Sequence, residues 1–393
     1  MAISELREVK TGFFSEQEVS SLLQSDIGIA LIEHKHNPLL LGRKALLKVN
    51  TNIGVSDSAK LDIELKKLEA LLALDFAPDS MMDHTYVPLD RPLWKYMIEM
   101  LDRPIGTLPH YATFSSEHGI DKNELLEAID EMGQGGVSFM TLHPTSQLSL
   151  LEIAKSCRSV PTTSRGGVLI LRDAQINKRT VNVMVDCFDD ILALFKKHSM
   201  TLSVGTTFRP ARIDEALDAV QLEEIKLQGT YVAYAKSKGV SVIMEGVGHL
   251  ALDDIEKYCN LICEFNVPLM PLGPMPTDAT VGFDHVSSAI GATVIGMLGN
   301  IGSINSVTRE EHTGGVPNMD SIIEGLKAAR VVAHAINLTR FTRYREIDTA
   351  IADSRATAKT CAISGGIFGE LDTEQADEGC SRCNYECPLI LLK

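Results

Sequence analysis

Short apolar segments alternate with amphipathic helical patterns along most of this 393-residue chain, from about residue 46 to about residue 340. Such alternation is typical of a parallel sheet with helices packed outside it. The strand candidates are ALLKVNTNI, DSMMDH, IGTLPHY, VSFMTLHP, SVPTTS, TLSVGTTF, VSVIMEG, VPLMPLG and IGSINSV. We therefore predict an α/β fold, a (β/α)8 barrel of the TIM type with one strand to spare. A doubly wound open sheet is the alternative.

The regions on either side of this pattern differ from it. Residues 1–45 are expected to form helix and loop, residues 46–340 the catalytic barrel, and residues 341–393 a C-terminal arm. The arm begins with a charged helical segment at 341–360, continues through Gly-rich and acidic sequence, and ends in three cysteines. We expect it to carry those cysteines away from the barrel.

Polar residues recur at the predicted C-terminal ends of the strands, where barrel enzymes have their active sites. They include Asn50, Asn52, Asp83, His84, His143, Arg209, Glu245 and His249. A single residue of this kind would ordinarily satisfy loop backbone, but repeated occurrence indicates a site.

Two short motifs at these positions suggest particular ligands. Ser164-Arg165-Gly166-Gly167 combines glycines, which permit close backbone approach, with an arginine that can bind phosphate through two N–H groups. His249 and His312 follow separate strands and could share one metal ion, although most histidine pairs in a sequence have no such role.

Cys380, Cys383 and Cys387 are spaced Cys-x2-Cys-x3-Cys at the end of the chain. Three thiolates can hold a 4Fe–4S cluster and leave one iron open to S-adenosylmethionine (SAM). A structural zinc would need a fourth ligand from elsewhere, and a disulfide would leave an odd thiol. The spacing alone leaves cluster, zinc and no metal open.

The charge of the chain limits its possible partners, and other features of the sequence indicate its location. The formal net charge is −15 and the pI is near 5.2, which argues against nucleic acid or an anionic membrane as a partner. An anionic substrate would need a local pocket of arginine and backbone N–H groups. The scattered cysteines and the polar, amphipathic start predict a cytoplasmic protein without a signal peptide or membrane span.

Several segments together resemble the ThiC family of radical SAM phosphomethylpyrimidine synthases. The segments occur in the same order and at similar intervals, from about Lys48 to the C-terminus; they are NTNIGVS, MMDHT, IGTLPHY, TSRGG, VIMEGVGH, LGPMPTDATVGFDHVSSAIGA and the terminal cysteines. The resemblance implies a (β/α)8 barrel with a cluster arm, in a homodimer whose arm reaches the partner's active site. It also implies rearrangement of 5-aminoimidazole ribotide to hydroxymethylpyrimidine phosphate for thiamine, with SAM, a 4Fe–4S cluster and an external electron donor.

The resemblance assigns roles to individual residues. His249 and His312 match the ligands of a divalent metal, zinc or iron, and Cys380, Cys383 and Cys387 match the cluster ligands. Together with Glu245, these cysteines are expected to be catalytic. The positions that match substrate contacts are Asn52, Met82, Tyr111, His143, Ser164, Arg165, Gly166, Arg209 and Glu245.

The chain departs from the family pattern at several points. The gap between Cys383 and Cys387 is one residue shorter. Thr206-Thr207-Phe208-Arg209 replaces Asp-Gly-Leu-Arg, Met270 replaces a tyrosine, and His143-Pro144-Thr145 replaces His-Ala-Gly. We expect these changes to surround the substrate and to leave fewer hydrogen bonds for ribose hydroxyls, which would alter discrimination.

Three function classes follow. The first is phosphomethylpyrimidine synthesis, or a paralogous reaction that makes 5-hydroxybenzimidazole or another heterocycle from an imidazole nucleotide. The second is a zinc-dependent barrel hydrolase or lyase that uses His249 and His312, with structural zinc at the arm. The third is a non-catalytic regulator on a decayed barrel, which the retained arginine, glutamate, histidine and cysteine residues oppose.

Overall fold

The computed structural model describes residues 3–25, 28–358, 361, 363, 365–370 and 382–392. Eight parallel strands form the central sheet. They are β1 (Lys48–Ile53), β2 (Ser80–Asp83), β3 (Ile105–Thr107), β4 (Phe139–Leu142), β5 (Thr201–Val204), β6 (Val242–His249), β7 (Leu269–Met275) and β8 (Ser303–Asn305). Their order in the sheet is β7-β6-β5-β4-β3-β2-β1-β8.

The two ends of this sheet meet and close it into a barrel. The Leu269 N–H donates to the Asn300 carbonyl over 2.8 Å, and the Gly302 N–H donates to the Leu269 carbonyl over 3.0 Å. A parallel bridge between Leu269 and Ile301 lies in the same place. The predicted (β/α)8 barrel of the TIM type is therefore confirmed.

Helices cover the outside of the barrel, and at least one follows each strand. The outer helices are Leu61–Leu72, Leu93–Met100, Lys122–Gln134, Phe188–Lys197, Ala219–Ser237, Ile255–Ile262, Asp284–Leu298 and Met319–Arg340. The other α-helices are Arg7–Lys10, Glu16–Gln24, Pro109–Thr113, Leu148–Cys157, Arg165–Ile176, Val183–Asp186, Arg345–Ala358 and Pro388–Leu391. Single 3-10 turns are Ile3–Glu5, Ser58–Lys60, Ile213–Glu215, Leu252–Asp254, Cys263–Phe265, Thr342–Tyr344 and Asn384–Glu386.

Side-chain caps define several of the helix starts. Asp121 accepts hydrogen bonds from the N–H groups of Asn123 and Glu124, and Asp218 accepts one from Gln221. Asn318 and Ser321 form a reciprocal capping box at the start of Met319–Arg340. These caps satisfy N–H groups that have no partner within the helix, so each helix begins at a defined residue.

The core lies mainly between the sheet and the outer helices. It includes Val49, Met140 and Val204 from the strands and Ile225 and Ile295 from the helices. Burying such a layer of apolar side chains is the main stabilising contribution to a fold of this kind. Within the described part of the chain, none of the helices combines the length and apolar character that crossing a membrane requires.

The N-terminal region contains a hairpin that we did not expect among helix and loop. Ala30–Ile32 pairs antiparallel with Leu39–Leu41. Its apolar side chains pack against Phe139 and Ile243 inside the barrel. The Leu31 carbonyl accepts hydrogen bonds from the hydroxyls of Thr201 and Ser241, at the N-terminal ends of β5 and β6. The hairpin therefore closes the end of the barrel opposite the active-site end.

The spare strand candidate, SVPTTS, is not a strand. Residues 158–164 form an irregular segment between helices Leu148–Cys157 and Arg165–Ile176, within the long connection from β4 to β5. The Arg158 guanidinium anchors this segment, because it binds Asp218 over 2.7 Å and the Phe208 carbonyl over 2.8 Å. The Ser-Arg-Gly-Gly motif thus begins a helix instead of ending a strand.

The described part of the arm lies beyond residue 340. After helix Arg345–Ala358, a two-residue hairpin pairs Gly365–Gly366 with Gly369–Glu370. The Phe368 ring packs edge-on against Phe76, which precedes β2, with ring centroids 4.9 Å apart. Cys383 and Cys387 flank the turn Asn384–Glu386, and Cys380 lies outside the described residues.

Candidate functional site

Two arginines lie at the C-terminal end of the barrel without a carboxylate partner among the described residues. The Arg165 guanidinium stacks on the Tyr86 ring, 4.1 Å from its centroid. The Nε of Arg209 is buried and has no hydrogen-bond partner among the residues that the structure describes. Burial lowers the pKa of His84, and the charges of both arginines add to that shift, so their charges act on the same part of the site. Two unpaired guanidinium groups here favour an anion.

The N-terminus of helix Arg165–Ile176 points into the same region. Ser164 caps it by accepting a hydrogen bond from the Gly167 N–H over 3.2 Å. A Cβ on Gly166 would lie 2.3 Å from His143 Nε2, and one on Gly167 would lie 2.4 Å from the Thr207 side chain. Only glycine lets this helix end approach the strand ends so closely, so the positive end of the helix dipole lies beside the site.

A buried carboxylate holds the loop that presents Arg209. Glu224, on helix Ala219–Ser237, accepts hydrogen bonds from the N–H groups of Thr207 over 2.6 Å and Phe208 over 2.8 Å. It also accepts one from the Thr145 hydroxyl over 2.8 Å. Glu224 thereby connects the loops after β4 and β5. Burial raises the pKa of Glu224, although these hydrogen bonds oppose the shift.

The expected effect of Phe208 on the pocket is not supported by its position. Phe208 is fully buried between three helices of the barrel, in a cluster with Leu150, Leu171 and Val220. Its ring therefore fills a gap between helices instead of facing the site. In the same segment, the hydroxyl oxygen of Thr206 is buried and has no hydrogen-bond partner among the described residues.

Glu245 projects from β6 toward the axis of the barrel. Its Oε1 accepts hydrogen bonds from the Thr141 hydroxyl over 2.6 Å and from the Ser203 hydroxyl over 3.3 Å. Burial raises the pKa of Glu245, against the opposing effect of the Arg209 charge. Both hydrogen bonds end on one oxygen, so the other oxygen remains available to a ligand.

Asn52 belongs to a network of amide side chains on the opposite wall. Asn50 Nδ2 donates to Asn52 Oδ1 and to Asn305 Oδ1, each over 2.8 Å. The Ser80 hydroxyl donates to Asn50 Oδ1 over 2.8 Å. These bonds orient the Asn52 amide at the end of β1.

Met82 and Met270 give the site an apolar floor. Both are buried in the interior cluster that includes Phe139 and Ile243, and Tyr111 packs against this cluster. Met270 pairs with Glu245 across β6 and β7, so it lies level with that carboxylate. The presence of Met270 where the family has a tyrosine therefore alters the barrel interior near the site.

His249 and His312 meet as expected for a shared metal. Their Nε2 atoms lie 3.0 Å apart. The Nδ1 atom of His249 contacts Asp278 Oδ1 over 2.6 Å, and that of His312 contacts Asp284 Oδ1 over 2.7 Å. Carboxylates at Nδ1 are the usual partners of metal-binding histidines, because they fix the tautomer that leaves Nε2 free to bind. The donor set therefore fits one divalent ion.

Two of the three arm cysteines lie among the described residues. Cys383 and Cys387 are free thiols, and the turn Asn384–Glu386 places them on one short bend. Cys380 lies outside the described residues. Among the described residues, no group of three or more His, Cys, Asp or Glu side chains is arranged to hold a metal ion.

A comparison with known protein families bears on which of the three function classes this chain belongs to. Residues 15–393 match the model of the Radical SAM ThiC family. This chain belongs to the Radical SAM ThiC family. Membership implies an enzyme that uses a 4Fe–4S cluster and SAM, and it supports the cluster interpretation of the terminal cysteines.

Curated relatives agree over most of the chain. A phosphomethylpyrimidine synthase of Methanopyrus kandleri is 32% identical over 377 residues, covering 91% of this chain and 86% of the relative. That of Caldanaerobacter subterraneus subsp. tengcongensis is 31% identical over 379 residues, covering 90% and 86%. A solved dihydropteroate synthase from Vibrio fischeri resembles the chain with a TM-score of 0.44 and 11% identity, over 78% of this chain and 98% of that one.

Several residues of the site were not assigned from the sequence. Glu224 and His110 lie inside predicted helix and strand segments, where a polar residue gives no local signal. Asp278 and Asp284 belong to the segment that resembles the family, but their contacts with the two histidines follow only from the fold. The residues that the sequence assigned to substrate contact lie at the C-terminal ends of β1 to β6 or at the start of helix Arg165–Ile176, which follows β4.

Proposed function

We propose that this protein converts 5-aminoimidazole ribotide, or a close analogue, to 4-amino-5-hydroxymethyl-2-methylpyrimidine phosphate in thiamine biosynthesis. One observation carries the proposal: in a chain of this family, two unpaired guanidinium groups and a glycine-lined helix start lie beside buried polar atoms that lack partners. Such a site suits a ligand with an anionic end and a polar, uncharged end.

The phosphate of the ribotide would bind at the helix start. The Arg165 guanidinium, held over the Tyr86 ring, provides N–H donors, and Arg209 adds a second positive charge. Charge-assisted hydrogen bonds of this kind are stronger than neutral ones, and the helix dipole favours the anion. The substrate would thereby be oriented with its rings toward the axis of the barrel.

The ribose and imidazole rings would lie between Glu245, Asn52 and Tyr111. Thr141 and Ser203 hold one oxygen of Glu245, which leaves the other to accept from a hydroxyl or amino group. Burial raises the pKa of Glu245, so this carboxyl can also hold a proton closer to neutral pH than an exposed glutamate. Burial raises the pKa of Tyr111 to about 12, so its phenol stays protonated.

His249 and His312 would hold a divalent ion, zinc or iron, at the rim of the site. With Asp278 and Asp284 at the two Nδ1 atoms, both Nε2 lone pairs converge on one position. A divalent ion there would polarise a bound oxygen or nitrogen atom and help orient the substrate.

Cys380, Cys383 and Cys387 would hold the 4Fe–4S cluster. The cluster supplies reductive cleavage of SAM, and an external electron donor provides the electron. The chain's own residues must then exclude water and keep the ribotide in a single orientation. The apolar floor of Met82 and Met270 supports the first role, and the arginine and amide groups support the second.

The protein would work as a homodimer. Val286, Ile290 and Met297 form an exposed apolar stripe on helix Asp284–Leu298, and Phe283 extends it. Exposed apolar side chains that cluster on one helix are typical of protein interfaces. A second copy on this stripe would also agree with the family arrangement, in which the arm of one subunit serves the other.

A paralogous product is the second candidate. Thr206 and Met270 leave the site with a hydroxyl that lacks a partner and a thioether beside Glu245. Fewer acceptors for ribose hydroxyls favour an altered reaction outcome, such as 5-hydroxybenzimidazole.

Anaerobic incubation with SAM, a reductant and 5-aminoimidazole ribotide, followed by mass spectrometry, tests these proposals. Formation of 5′-deoxyadenosine together with hydroxymethylpyrimidine phosphate supports the first. SAM cleavage with a different heterocyclic product supports the second. No conversion of the ribotide, under conditions where a reference phosphomethylpyrimidine synthase is active, contradicts both.

A further inference from the structure

Four aromatic rings form a continuous row along one wall of the site. The row runs from His84 after β2, through Tyr111 and His110 after β3, to His143 after β4. Successive ring centroids are 6.1, 5.2 and 5.3 Å apart, and each pair meets edge to face. Three of the four rings are imidazoles, so most of this wall consists of groups that can both donate and accept hydrogen bonds.

The imidazoles of this row have buried nitrogen atoms that find no hydrogen-bond partner in the described part of the chain. They are Nε2 of His84, both ring nitrogens of His110 and Nδ1 of His143. Leaving a buried polar group unpaired destabilises a fold, so natural proteins pair nearly all of them. Four such atoms in one wall give a bound ligand several donor and acceptor positions to pair with.

The surroundings keep these rings uncharged. Burial lowers the pKa of His84 to about 4, and the charges of Arg165 and Arg209 act in the same direction. Burial also lowers the pKa of His110 to about 3, and that of His143 lies well below its usual value. Each ring therefore offers one N–H donor and one lone pair, and none offers a positive charge.

The row stands directly beside the proposed anion site. His84 is two residues before Tyr86, on which Arg165 is stacked. At the other end, His110 and His143 approach Gly166, since a Cβ there would lie 2.9 Å from His110 Nε2 and 2.3 Å from His143 Nε2. A ligand held by its anionic end at Arg165 would extend along the row.

We propose that His84 contacts the ligand and selects for an uncharged nitrogen heterocycle, with His110, packed between Tyr111 and His143, as a positioning residue. The inference rests on the proposed function, because it concerns the same barrel site. The chemical reason is complementarity: an aminoimidazole or related ring has both N–H donors and ring-nitrogen acceptors, as the neutral imidazoles do. A ligand without such a ring leaves the nitrogens of the row unpaired.

Binding measurements on the ligand-free protein test this role without any turnover. Dissociation constants are measured by calorimetry for 5-aminoimidazole ribotide, for its 4-carboxamide derivative and for ribose 5-phosphate. The comparison covers wild type, His84→Leu, His84→Gln and His110→Leu. The control is His118→Leu, because His118 is an exposed histidine whose ring nitrogen is paired only with neighbouring Glu117.

The inference predicts a loss of discrimination with retained phosphate binding. His84→Leu lowers the preference for a heterocyclic ribotide over ribose 5-phosphate by about tenfold, since one polar contact is removed. Ribose 5-phosphate itself binds within about twofold of wild type. His84→Gln, which keeps a donor and an acceptor, restores most of the preference, and His118→Leu matches wild type.

The melting temperature provides a second test of this role. If the histidines served only to stabilise the fold, replacing them would lower the melting temperature. Replacing an unpaired buried imidazole with leucine should leave the melting temperature of the ligand-free protein unchanged or raise it by about 1–3 °C. Ligand-induced stabilisation by the ribotide should fall in His84→Leu and His110→Leu. A melting temperature lowered by several degrees in both variants, with discrimination intact, overturns the inference.

The outcomes distinguish this inference from the proposed function. If wild type prefers another heterocyclic ribotide to 5-aminoimidazole ribotide and His84→Leu loses that preference, the inference stands and the proposed substrate fails. If wild type prefers 5-aminoimidazole ribotide and His84→Leu keeps the full preference, the inference fails and the proposed substrate stands. No preference for any heterocycle over ribose 5-phosphate contradicts both.

Discussion

The Nε2 atoms of His249 and His312 lie 3.0 Å apart, although the residues are separated by 63 positions in the chain. Asp278 and Asp284 contact the two Nδ1 atoms, and an imidazole that donates its Nδ1–H to a carboxylate has its lone pair at Nε2. Two lone pairs at this distance repel each other unless a proton or a metal ion lies between them. The pair therefore has the electronic character of an ion site.

Removal of either histidine should abolish binding of the divalent ion. His312→Ala is expected to lose nearly all affinity, and Asp284→Asn should weaken binding by about 10- to 100-fold, because the carboxylate orients the ring. Zinc and iron titrations of the chelator-treated protein measure this effect. The matched control is His334→Ala, which removes a histidine paired with Asp348 elsewhere on the surface. Equal metal binding by wild type and His312→Ala would contradict the assignment.

Glu224→Gln should weaken ligand binding through the loop that carries Arg209. A glutamine amide can accept at one oxygen only, so its NH2 group would face a backbone N–H of Thr207 or Phe208. We expect about tenfold weaker binding of ribose 5-phosphate and a loss of about 1–3 kcal/mol in the free energy of unfolding. Glu223→Gln is the control, since the neighbouring Glu223 is exposed and pairs with Lys226. Unchanged binding in Glu224→Gln would show that the loop does not need this carboxylate.

The buried histidines should make the fold sensitive to mild acid. Burial lowers the pKa of His110 to about 3, whereas in the unfolded chain it is near 6.5. The unfolded state therefore binds more protons below pH 6.5, and stability that is complete above that pH is lost as the pH falls toward 3. For one such histidine the loss is on the order of 1 kcal/mol per pH unit.

Urea unfolding at pH 7 and pH 5 measures this contribution. The free energy of unfolding of wild type should fall by about 2 kcal/mol more than that of His110→Leu over this interval. His118→Leu should behave as wild type, because His118 is exposed. An identical pH dependence in wild type and His110→Leu would mean that His110 is not buried in its neutral form.

Cys383→Ala should remove the cluster and SAM cleavage together. Anaerobically reconstituted wild type is expected to be brown and to hold about four irons per chain. The variant should lose most of this iron and release no 5′-deoxyadenosine. Cys157→Ala, at an exposed free cysteine far along the sequence, should retain both. Zinc in place of iron at the arm of the reconstituted wild type would favour a structural role for these cysteines.

Ile290→Glu should convert the proposed dimer to a monomer. Ile290 is 49% exposed in the middle of the apolar stripe on helix Asp284–Leu298, and a charge there would have to be buried at an interface. Light scattering coupled to size exclusion gives the mass directly. Ile63→Glu, at an equally exposed position on helix Leu61–Leu72, should leave the mass unchanged. A monomeric wild type would refute the homodimer.

Local patterns were sufficient to predict the barrel, because each strand and helix has its own apolar periodicity. They failed where an element depends on distant partners. The segment SVPTTS has strand-like residues, but Arg158 ties it to Asp218 and the Phe208 carbonyl as a loop. The hairpin Ala30–Ile32 and Leu39–Leu41 was missed because its stability comes from packing inside the barrel.

The candidate site shows the same division. Residue type and motif position identified Arg165, Arg209, Glu245 and the histidine pair His249 and His312 as candidates. Phe208 was expected near the substrate, but its side chain turns into a helix cluster, because Glu224 fixes the backbone of that loop. The direction of the Phe208 side chain thus depends on a hydrogen bond between Glu224 and a residue of a different structural element, which no local sequence pattern indicates.

The sequence by itself determined the fold class, the family and the kinds of side chain available for the chemistry, since periodicity and motif spacing are local properties. Only the tertiary structure decided which of those side chains meet. It brought His249 to His312 and left the row from His84 to His143 with unpaired nitrogens. Closing the barrel places the ends of distant strands within contact, and the resulting distances, burial and pKa values depend on that closure.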